Sequence, residues 1–347
     1  MDNPLASKIR NSSFKVCNRL LIPDGVIGWL PFALKKAHEI VKENEIEAIY
    51  VTGNPFSCFL IGAFLKKKTN RKLVLDYRDP WNINPLNKRG VIGSLLERKL
   101  ERFAVSLADL IILNTRRSCI QYKEQFSHST DAAFITIENA YDEELEDFFV
   151  SDERVKEEDV FTIFYAGNFY GSRNPEKFFE ALHLIIKRMP ALKNKIQFHY
   201  FGLNKESQFH NQIHSLGIHE VVRFHASVPI RKLISSYRIA DILLLINHLD
   251  EGNSLFIPQK FFEYLMTEKP ILCLSKEGAL KDIVHETRSG TCADPENAEE
   301  IAQKIIDCYN KYYINKEKLK IVGKQNYSSL EQTKRLCYYL DSIALNQ

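Results

Sequence analysis

The sequence predicts an α/β protein with two Rossmann-like domains, each built on a doubly wound parallel sheet, of which the first is incomplete. Apolar strand-like runs alternate with helical patterns along nearly the whole chain of 347 residues. These runs are continuously apolar, as expected for parallel strands that helices cover on both faces. The length suits about two domains of ordinary size.

The first half contains four strand-like runs: EAIYVTG, KLVLDY, LIILN and AFITI. Helical patterns lie near 31–44, 56–68, 91–107 and 116–126. Strands and helices that alternate at this spacing predict βαβ units on a parallel sheet. The segment around 150–160 is charged and has no strong period, so it suits a linker. The first domain is therefore predicted to span 1–150.

The pattern restarts with the strand-like runs FTIFYAG, IQFHYFG, VVRFHA, DILLLIN and PILCLS. Helices are predicted at 175–189, 205–216, 230–239, 258–267 and 277–286, with two more near 296–324 and a last one near 328–344. At least five strands suffice for a complete doubly wound domain. We assign this domain to 151–327 and expect the helix over 328–347 to cross back to the first domain.

The charge balance does not favour a nucleic-acid partner. The net charge is +3 and the pI is near 8.3, whereas nucleic-acid binding calls for a concentrated basic face. The densest cationic cluster is Lys66–Lys68 with Arg71 and Lys72. It fits either the solvated end of a helix that turns into a strand or a weak contact with anionic lipid.

Compartment signals are consistent with a cytoplasmic protein. Residues 1–20 contain no apolar signal segment, and no apolar run approaches the roughly 20 residues that a membrane helix needs. The seven cysteines form no C-x-x-C pair and suit reduced thiols. The protein is expected in the cytoplasm, with at most a peripheral contact at the inner face of a membrane.

Three clusters lie at predicted strand ends, where open parallel sheets bind ligands. The first is FYAGNFYGSRNP, in which a strand ends at Gly167 and a helix begins near Pro175. Glycines and a helix N-terminus suit a phosphate, and Arg173 adds donors with the geometry of phosphate oxygens. The alternative is a plain turn capped by Asn174, with an exposed arginine.

The second cluster places Lys260 and Glu263 three residues apart on one face of a helix that Pro258 opens. A buried carboxylate there could bind a sugar diol while the lysine meets a diphosphate. Spacing alone favours the alternative of a surface i,i+3 salt bridge, which is worth a few tenths of a kcal/mol.

The third cluster is LDYRDPW, in which Asp76, Arg78 and Asp79 directly follow a buried strand. Polar groups at a strand end suit a loop that lines a cleft, and a structural Arg–Asp pair that anchors the loop is equally compatible. A metal site is not predicted, because His210 and His214 in HNQIH lack the glutamate of the metalloprotease pattern. No resident cofactor is expected.

Five segments in order along the chain resemble retaining glycosyltransferases of the GT-B fold, and family 4 in particular. They are LLIPDGVIGWL, LVLDYRDPW, ITIENAYDEEL, FYAGNFYGSRNP and IPQKFFEYLMTEKPIL. The last resembles the Pro-x-Lys-x-x-Glu-Tyr-Leu segment that holds the donor nucleotide in that family. The resemblance covers residues 20–340.

The resemblance implies a role for each candidate residue. Arg173 and Lys260 would face the diphosphate of a nucleotide sugar, Glu263 would accept hydrogen bonds from the ribose, and Gly167 would let its loop approach the donor. The residues Asp76, Arg78 and Asp79 would line the acceptor side. No metal would be needed, because positive side chains and a helix dipole take the charge of the leaving diphosphate. The nucleotide sugar would act as co-substrate.

The resemblance predicts transfer of a sugar to a polysaccharide or lipid-linked acceptor in the synthesis of a cell-surface glycan. Relatives carry further strands ahead of LLIPD, so the first domain is expected to lack two or three strands. Leu255 also stands where many relatives have a glutamate. Both departures favour an alternative, a catalytically impaired remnant or scaffold that keeps the fold. A nucleotide-sugar epimerase of the same fold is disfavoured by the Asp-Arg-Asp-Pro-Trp segment.

Overall fold

The computed structural model describes residues 21–83, 90–150, 159–249 and 253–345. Contacts divide the chain into two compact units: unit 1 comprises Met1–Glu138 and Lys334–Gln347, and unit 2 comprises Asn139–Thr333. These limits differ from the composition-based limit at 150/151, and most of the predicted linker, 151–158, lies outside the described residues. The last helix contributes residues to both units.

With one exception, α-helices occur where the 3.6-residue apolar period predicted them. The exception is the short helix Glu146–Val150, which was not predicted. The α-helices are α1 Leu30–Glu43, α2 Ser57–Thr69, α3 Val91–Val105, α4 Arg116–Phe126, α5 Glu146–Val150, α6 Glu176–Arg188, α7 His210–Ser215, α8 Ile230–Ser236, α9 Gln259–Met266, α10 Ala279–Thr287, α11 Ala298–Cys308 and α12 Ser329–Leu345. Within the described ranges, no helix combines the length and apolarity that crossing a bilayer requires.

Unit 1 contains a parallel sheet of four strands in sequential order: β1 Ala48–Gly53, β2 Lys72–Tyr77, β3 Leu110–Leu113 and β4 Ala133–Thr136. These are the four strands that the sequence predicts. The two central strands are almost wholly buried, which accounts for their continuous apolar sequences.

Apolar residues cover both faces of the unit 1 sheet. One face packs into a core with helix α2 and the aromatic side chains Phe56, Phe59, Tyr77 and Trp81. On the other face, Val74 and its neighbours on the strands contact four residues of α12, namely Leu336, Tyr339, Leu340 and Ile343. The C-terminal helix therefore supplies part of the core of unit 1.

Unit 2 contains a parallel sheet of six strands in the order β10-β9-β8-β5-β6-β7. The strands are β5 Phe161–Ala166, β6 Ile196–Gly202, β7 Val222–Ala226, β8 Ile242–Ile246, β9 Ile271–Leu274 and β10 Gly290–Ala293. The order runs outward in both directions from the pair β5 and β8, which is the doubly wound Rossmann arrangement. The fold class predicted from the sequence is thus observed.

Besides helix α5, two features of unit 2 differ from the prediction. Strand β10 was not predicted, because its sequence GTCA is short and weakly apolar. In the region 296–324, α11 continues into one π-helical segment, Tyr309–Ile314, and no second α-helix follows. Tyr309 and Tyr313 of this segment pack edge-on against Phe161 of β5, so tertiary packing accounts for the local departure from the α-helix.

Candidate functional site

The candidate site of unit 2 lies at the carboxyl ends of β5 and β8. These strands pair in parallel although two other strands separate them in sequence, so they mark the point where the strand order reverses. A crevice at this point is the usual ligand site of an open parallel sheet. Gly167 directly follows β5, and helix α9 carries Lys260 and Glu263 in the same unit.

Gly167 is a position that requires glycine. Its φ is +133°, a region that side chains rarely adopt, and a Cβ here would overlap the ammonium of Lys260. Its N–H donates to the carbonyl of Phe201 at 2.8 Å, which fixes the start of the loop against β6. The missing side chain therefore leaves the space that the lysine occupies.

The loop after Gly167 is held by hydrogen bonds to two neighbouring segments. Asn168 accepts from the backbone N–H of Leu203, and Asn204 accepts from that of Phe169, both at 2.8 Å. On the β8 side, the Ser172 hydroxyl accepts from the N–H of Leu249 at 3.1 Å. These contacts hold the loop in one position beside the carboxyl end of β8.

Arg173 ends this loop, with its guanidinium 5.3 Å from the ring centre of Tyr170. Its Nε is buried and has no hydrogen-bond partner among the described residues. Buried donors are rarely left unpaired, so a ligand oxygen would complete this site. Asn174 accepts from the N–H of Glu176 at 3.1 Å. Helix α6 begins at Glu176, so Pro175 rather than Asn174 occupies the N-cap position, and no side chain caps it.

Lys260 lies in a cationic and largely desolvated position. Burial, and then the charge of Arg173, lower the pKa of its ammonium to about 8, against the opposing effect of Glu263. The ammonium lies 5.1 Å from the ring centre of Tyr165. A lysine whose positive charge is disfavoured by burial and by a second cation gains most from an anionic ligand.

Glu263 is close enough to Lys260 for each charge to act on the other's pKa, but the two side chains form no direct ion pair. Burial raises the pKa of Glu263, against the opposing effects of Lys260 and of the Tyr237 hydroxyl, which donates to the carboxylate at 3.5 Å. The surface salt bridge that spacing alone favoured is therefore not observed. The structure brings Gly167, Arg173, Lys260 and Glu263 into one neighbourhood.

The third sequence cluster lies in unit 1 at the end of β2. Asp76 is buried and accepts hydrogen bonds from the Tyr50 hydroxyl at 2.7 Å and from Arg78 Nε at 2.9 Å. The Arg–Asp pair is thus structural, one of the two possibilities that the sequence left open. The side chain of Asp79 is exposed to solvent. The protein around it nevertheless desolvates the carboxyl in part, which raises its pKa. Asp79 and the outer part of Arg78 remain available to a ligand.

Two side chains anchor the segment that carries these groups. The Tyr122 hydroxyl accepts from the backbone N–H of Trp81 at 2.9 Å and donates to Glu101 at 3.1 Å. The Asn114 amide donates to the carbonyl of Arg78. Trp81 is fully buried and stacks on Phe56 with ring centres 4.9 Å apart. The Pro-Trp end of the motif is therefore part of the core.

Sequence reasoning missed several residues that position the site of unit 2. Tyr237 and Asn204 had no sequence signal, because their roles depend on contacts between distant segments. His248 lies within hydrogen-bond distance of the Ser172 hydroxyl, 3.3 Å from its ring Nδ1. It closely follows β8, so the strand-end rule could have identified it. His214 packs against His210 with tilted rings and stacks on His219. No group of three or more potential metal ligands occurs within the residues that the structure describes.

Comparison with protein families matches residues 147–329 to a model described as glycosyl transferases group 1. A comparison with curated protein sequences finds no match. Among solved structures, sucrose-phosphate synthase from Thermosynechococcus elongatus superposes with a TM-score of 0.64 at 14% identity, over 92% of this chain and 80% of that one. A lipopolysaccharide outer core galactosyltransferase gives 0.59 at 14% identity, over 90% and 79%. A putative UDP-N-acetylglucosamine 2-epimerase from Listeria monocytogenes gives 0.56 at 12%, over 90% and 79%.

Proposed function

This chain belongs to the group 1 glycosyl transferases, and from that premise we propose that it moves a sugar from a nucleotide-sugar donor to a polysaccharide or lipid-linked acceptor. The main support is the convergence of Arg173, Lys260 and Glu263 beside Gly167 in unit 2. Two cations at the switch point of a parallel sheet suit a diphosphate. The carboxylate one helical turn from the lysine suits the hydroxyls of a ribose.

We assign the donor groups as follows. Lys260 and Arg173 contact the diphosphate, Glu263 accepts hydrogen bonds from the ribose, and the loop of Gly167 approaches the donor closely. The lowered pKa of Lys260 and the unpaired Nε of Arg173 support this assignment. Neither side chain forms an ion pair with a carboxylate among the described residues, and a diphosphate would supply an anion to both.

The same cations would promote the chemical step. When the bond between the sugar and the diphosphate breaks, negative charge grows on the leaving phosphate oxygen. Arg173 and Lys260 already lie near each other before a donor binds, so they would stabilise that charge with little reorganisation. We propose that this takes the place of a metal ion, and that the acceptor attacks from the face the diphosphate leaves, with retention of configuration.

We propose Asp79 and Arg78 of unit 1 as acceptor-side groups, with Asp76 holding Arg78 in position. Asp76 is almost fully buried, so its contribution is to orient the guanidinium through their ion pair. One solved structure of similar fold is named for the lipopolysaccharide outer core. This motivates an acceptor in a cell-surface glycan, made at the cytoplasmic side of a membrane.

Calorimetric titration of UDP-, GDP- and CDP-sugars tests the donor assignment. Wild-type protein should bind one of them, and Arg173→Ala and Glu263→Ala should each weaken that binding by roughly 10- to 100-fold, because each removes a charge-assisted hydrogen bond. Lys177→Ala is the matched control: it removes a half-exposed cation that pairs with Glu180 at 2.7 Å on helix α6. It should bind the donor as wild type does.

The outcomes separate the alternatives. Donor binding that persists unchanged in Arg173→Ala and Glu263→Ala would contradict the assignment of the site. Binding without transfer to extracted acceptor lipids would identify a catalytically impaired scaffold. Interconversion of donor epimers in the absence of any acceptor would identify an epimerase instead.

A further inference from the structure

Helix α3 of unit 1 carries an unusual surface. Its first two turns expose Val91 and Ile92, which retain 80% and 76% of their accessible surface, and Leu95 and Leu96, which retain 53% and 44%. Positions i, i+1, i+4 and i+5 share one face of a helix. Four large aliphatic side chains therefore form one continuous exposed apolar patch.

The charged residues of α3 are sorted by sign. Its two carboxylates, Glu97 and Glu101, are buried at 2% and 0% exposure. Its three cations, Arg98, Lys99 and Arg102, are exposed. On a helical wheel these cations lie on the same side as the apolar patch, one to two turns further along. The exposed surface of α3 is thus apolar at its start and purely cationic after it.

The neighbouring helix α2 extends the cationic part. Lys67 lies 5.8 Å from the ring centre of Phe103 of α3, and it is exposed together with Lys68. By contrast, Lys66 and Lys72 contact Asp109 at 2.8 and 3.7 Å. The cationic cluster noted in the sequence is therefore divided between a structural ion pair and a solvent-facing part beside α3.

We propose that this surface, defined by the four aliphatic residues and the exposed cations of α3 with Lys67, binds an anionic lipid bilayer. Apolar side chains that enter the headgroup boundary next to cations that meet anionic headgroups are the features of interfacial helices. Charge complementarity selects the occupant, because no acidic side chain of α3 is exposed to repel an anionic surface.

Vesicle co-sedimentation tests the proposal without donor or acceptor, so its result does not depend on the proposed transfer reaction. Wild-type protein should sediment with phosphatidylcholine vesicles that contain 30% phosphatidylglycerol (about one lipid in three, enough to give a strongly anionic surface). It should sediment far less with phosphatidylcholine alone, and added salt should weaken the binding.

Two variants separate the apolar and the cationic parts. Ile92→Ser with Leu95→Ser should weaken binding more than about tenfold, because both large aliphatic side chains no longer enter the lipid. Arg98→Gln, Lys99→Gln and Arg102→Gln together should weaken it by roughly a hundredfold and remove most of the salt dependence. All of these side chains are exposed, so unfolding monitored by tryptophan fluorescence should match wild type.

The controls make changes of the same kind elsewhere in unit 1. Ile120→Ser removes an exposed aliphatic side chain from α4, and Lys35→Gln, Lys36→Gln and Lys42→Gln remove the same charge from α1. Both control variants should bind vesicles as wild type does.

Equal sedimentation with neutral and anionic vesicles, or undiminished binding by the α3 variants, would overturn the proposal. So would a dimer that the α3 substitutions dissociate in the absence of vesicle binding, since the occupant would then be a second copy.

Discussion

At the scale of single residues, the pKa of Lys260 links the donor site to pH. In the free protein burial and Arg173 lower this pKa to about 8. Below that pH the ammonium is charged and can contact a diphosphate, whereas above it the amine is neutral and the contact weakens. A bound anion raises the pKa again, so binding takes up a proton at high pH.

We therefore predict that donor affinity is steady below pH 7 and falls above about pH 8, by up to about tenfold per pH unit. Calorimetry across this range measures the change. Lys260→Met, which keeps a similar volume but has no charge, should bind the donor weakly, and its affinity should not change over this pH range. A variant that retains the wild-type slope would show that another group titrates.

Gly167 supports a second prediction. Gly167→Ala places a Cβ on the Lys260 ammonium and strains a backbone at φ +133°, so the variant should lose donor binding at least tenfold and unfold more easily. Gly217→Ala is the control: its φ is +66°, but no atom lies within 4 Å of the added Cβ. It should cost about 1 kcal/mol of stability and bind the donor normally.

The residues of the donor site were only partly predictable from the sequence. Rules about strand ends and helix starts located Gly167, Arg173, Lys260 and Glu263, because in a parallel sheet such positions meet at one edge. They did not predict that Lys260 and Glu263 avoid a direct ion pair, or that Tyr237 contacts the carboxylate. Those features depend on packing between elements far apart in the chain.

At the scale of elements, Glu101 makes the stability of helix α3 depend on pH. Burial raises the pKa of this carboxyl to about 7 from a reference of 4.5, despite hydrogen bonds from Asn82 and Tyr122. The folded state thus holds a proton that the unfolded state releases. The free energy of unfolding is highest below about pH 4.5 for this group, falls as the pH rises towards 7, and then levels off.

We predict that Glu101→Gln flattens this dependence. As the pH rises from the lower pKa to the higher one, the free energy of unfolding of wild type should fall by on the order of 3 kcal/mol, since one pKa unit corresponds to about 1.4 kcal/mol. The variant should not show this fall. Denaturant unfolding followed by fluorescence at pH 5 and pH 8 compares them. Glu45→Gln, at an exposed position beyond α1, should keep the wild-type slope. Parallel slopes in wild type and Glu101→Gln would contradict the prediction.

The elements themselves were largely predictable. Nine strands were predicted from their apolar runs. The signal is clearest for central strands such as β2, β3, β5 and β8, which are almost wholly buried because helices cover both faces of the sheet. The tenth, Gly290–Ala293, is a short edge strand that depends on its pairing with β9. The Tyr309–Ile314 segment reads as an α-helix in sequence, and its aromatic packing against β5 is a tertiary effect that periodicity cannot express.

At the scale of the whole molecule, the two tryptophans offer a selective probe. The sequence contains two, Trp29 and Trp81, and both belong to unit 1. The proposed donor residues all belong to unit 2. Tryptophan fluorescence therefore reports unfolding of unit 1, while far-UV circular dichroism reports both units.

We predict that a saturating donor shifts the two signals differently. A free donor concentration about a hundred times Kd stabilises unit 2 by about 2.7 kcal/mol. The circular dichroism transition should therefore move to higher denaturant, while the midpoint of the fluorescence transition stays in place. Arg173→Ala should show neither shift. Equal shifts in both signals would mean that the two units unfold as one.

The shared helix α12 also has a consequence for biosynthesis. The ribosome completes Asn139–Thr333 before it makes Lys334–Gln347, which belongs to unit 1. Until residues 334–345 emerge, the sheet face that carries Val74, Leu110 and Ile112 lacks its covering side chains. The later-encoded unit can therefore finish folding on the nascent chain first, whereas the earlier-encoded unit must wait until that helix has been made.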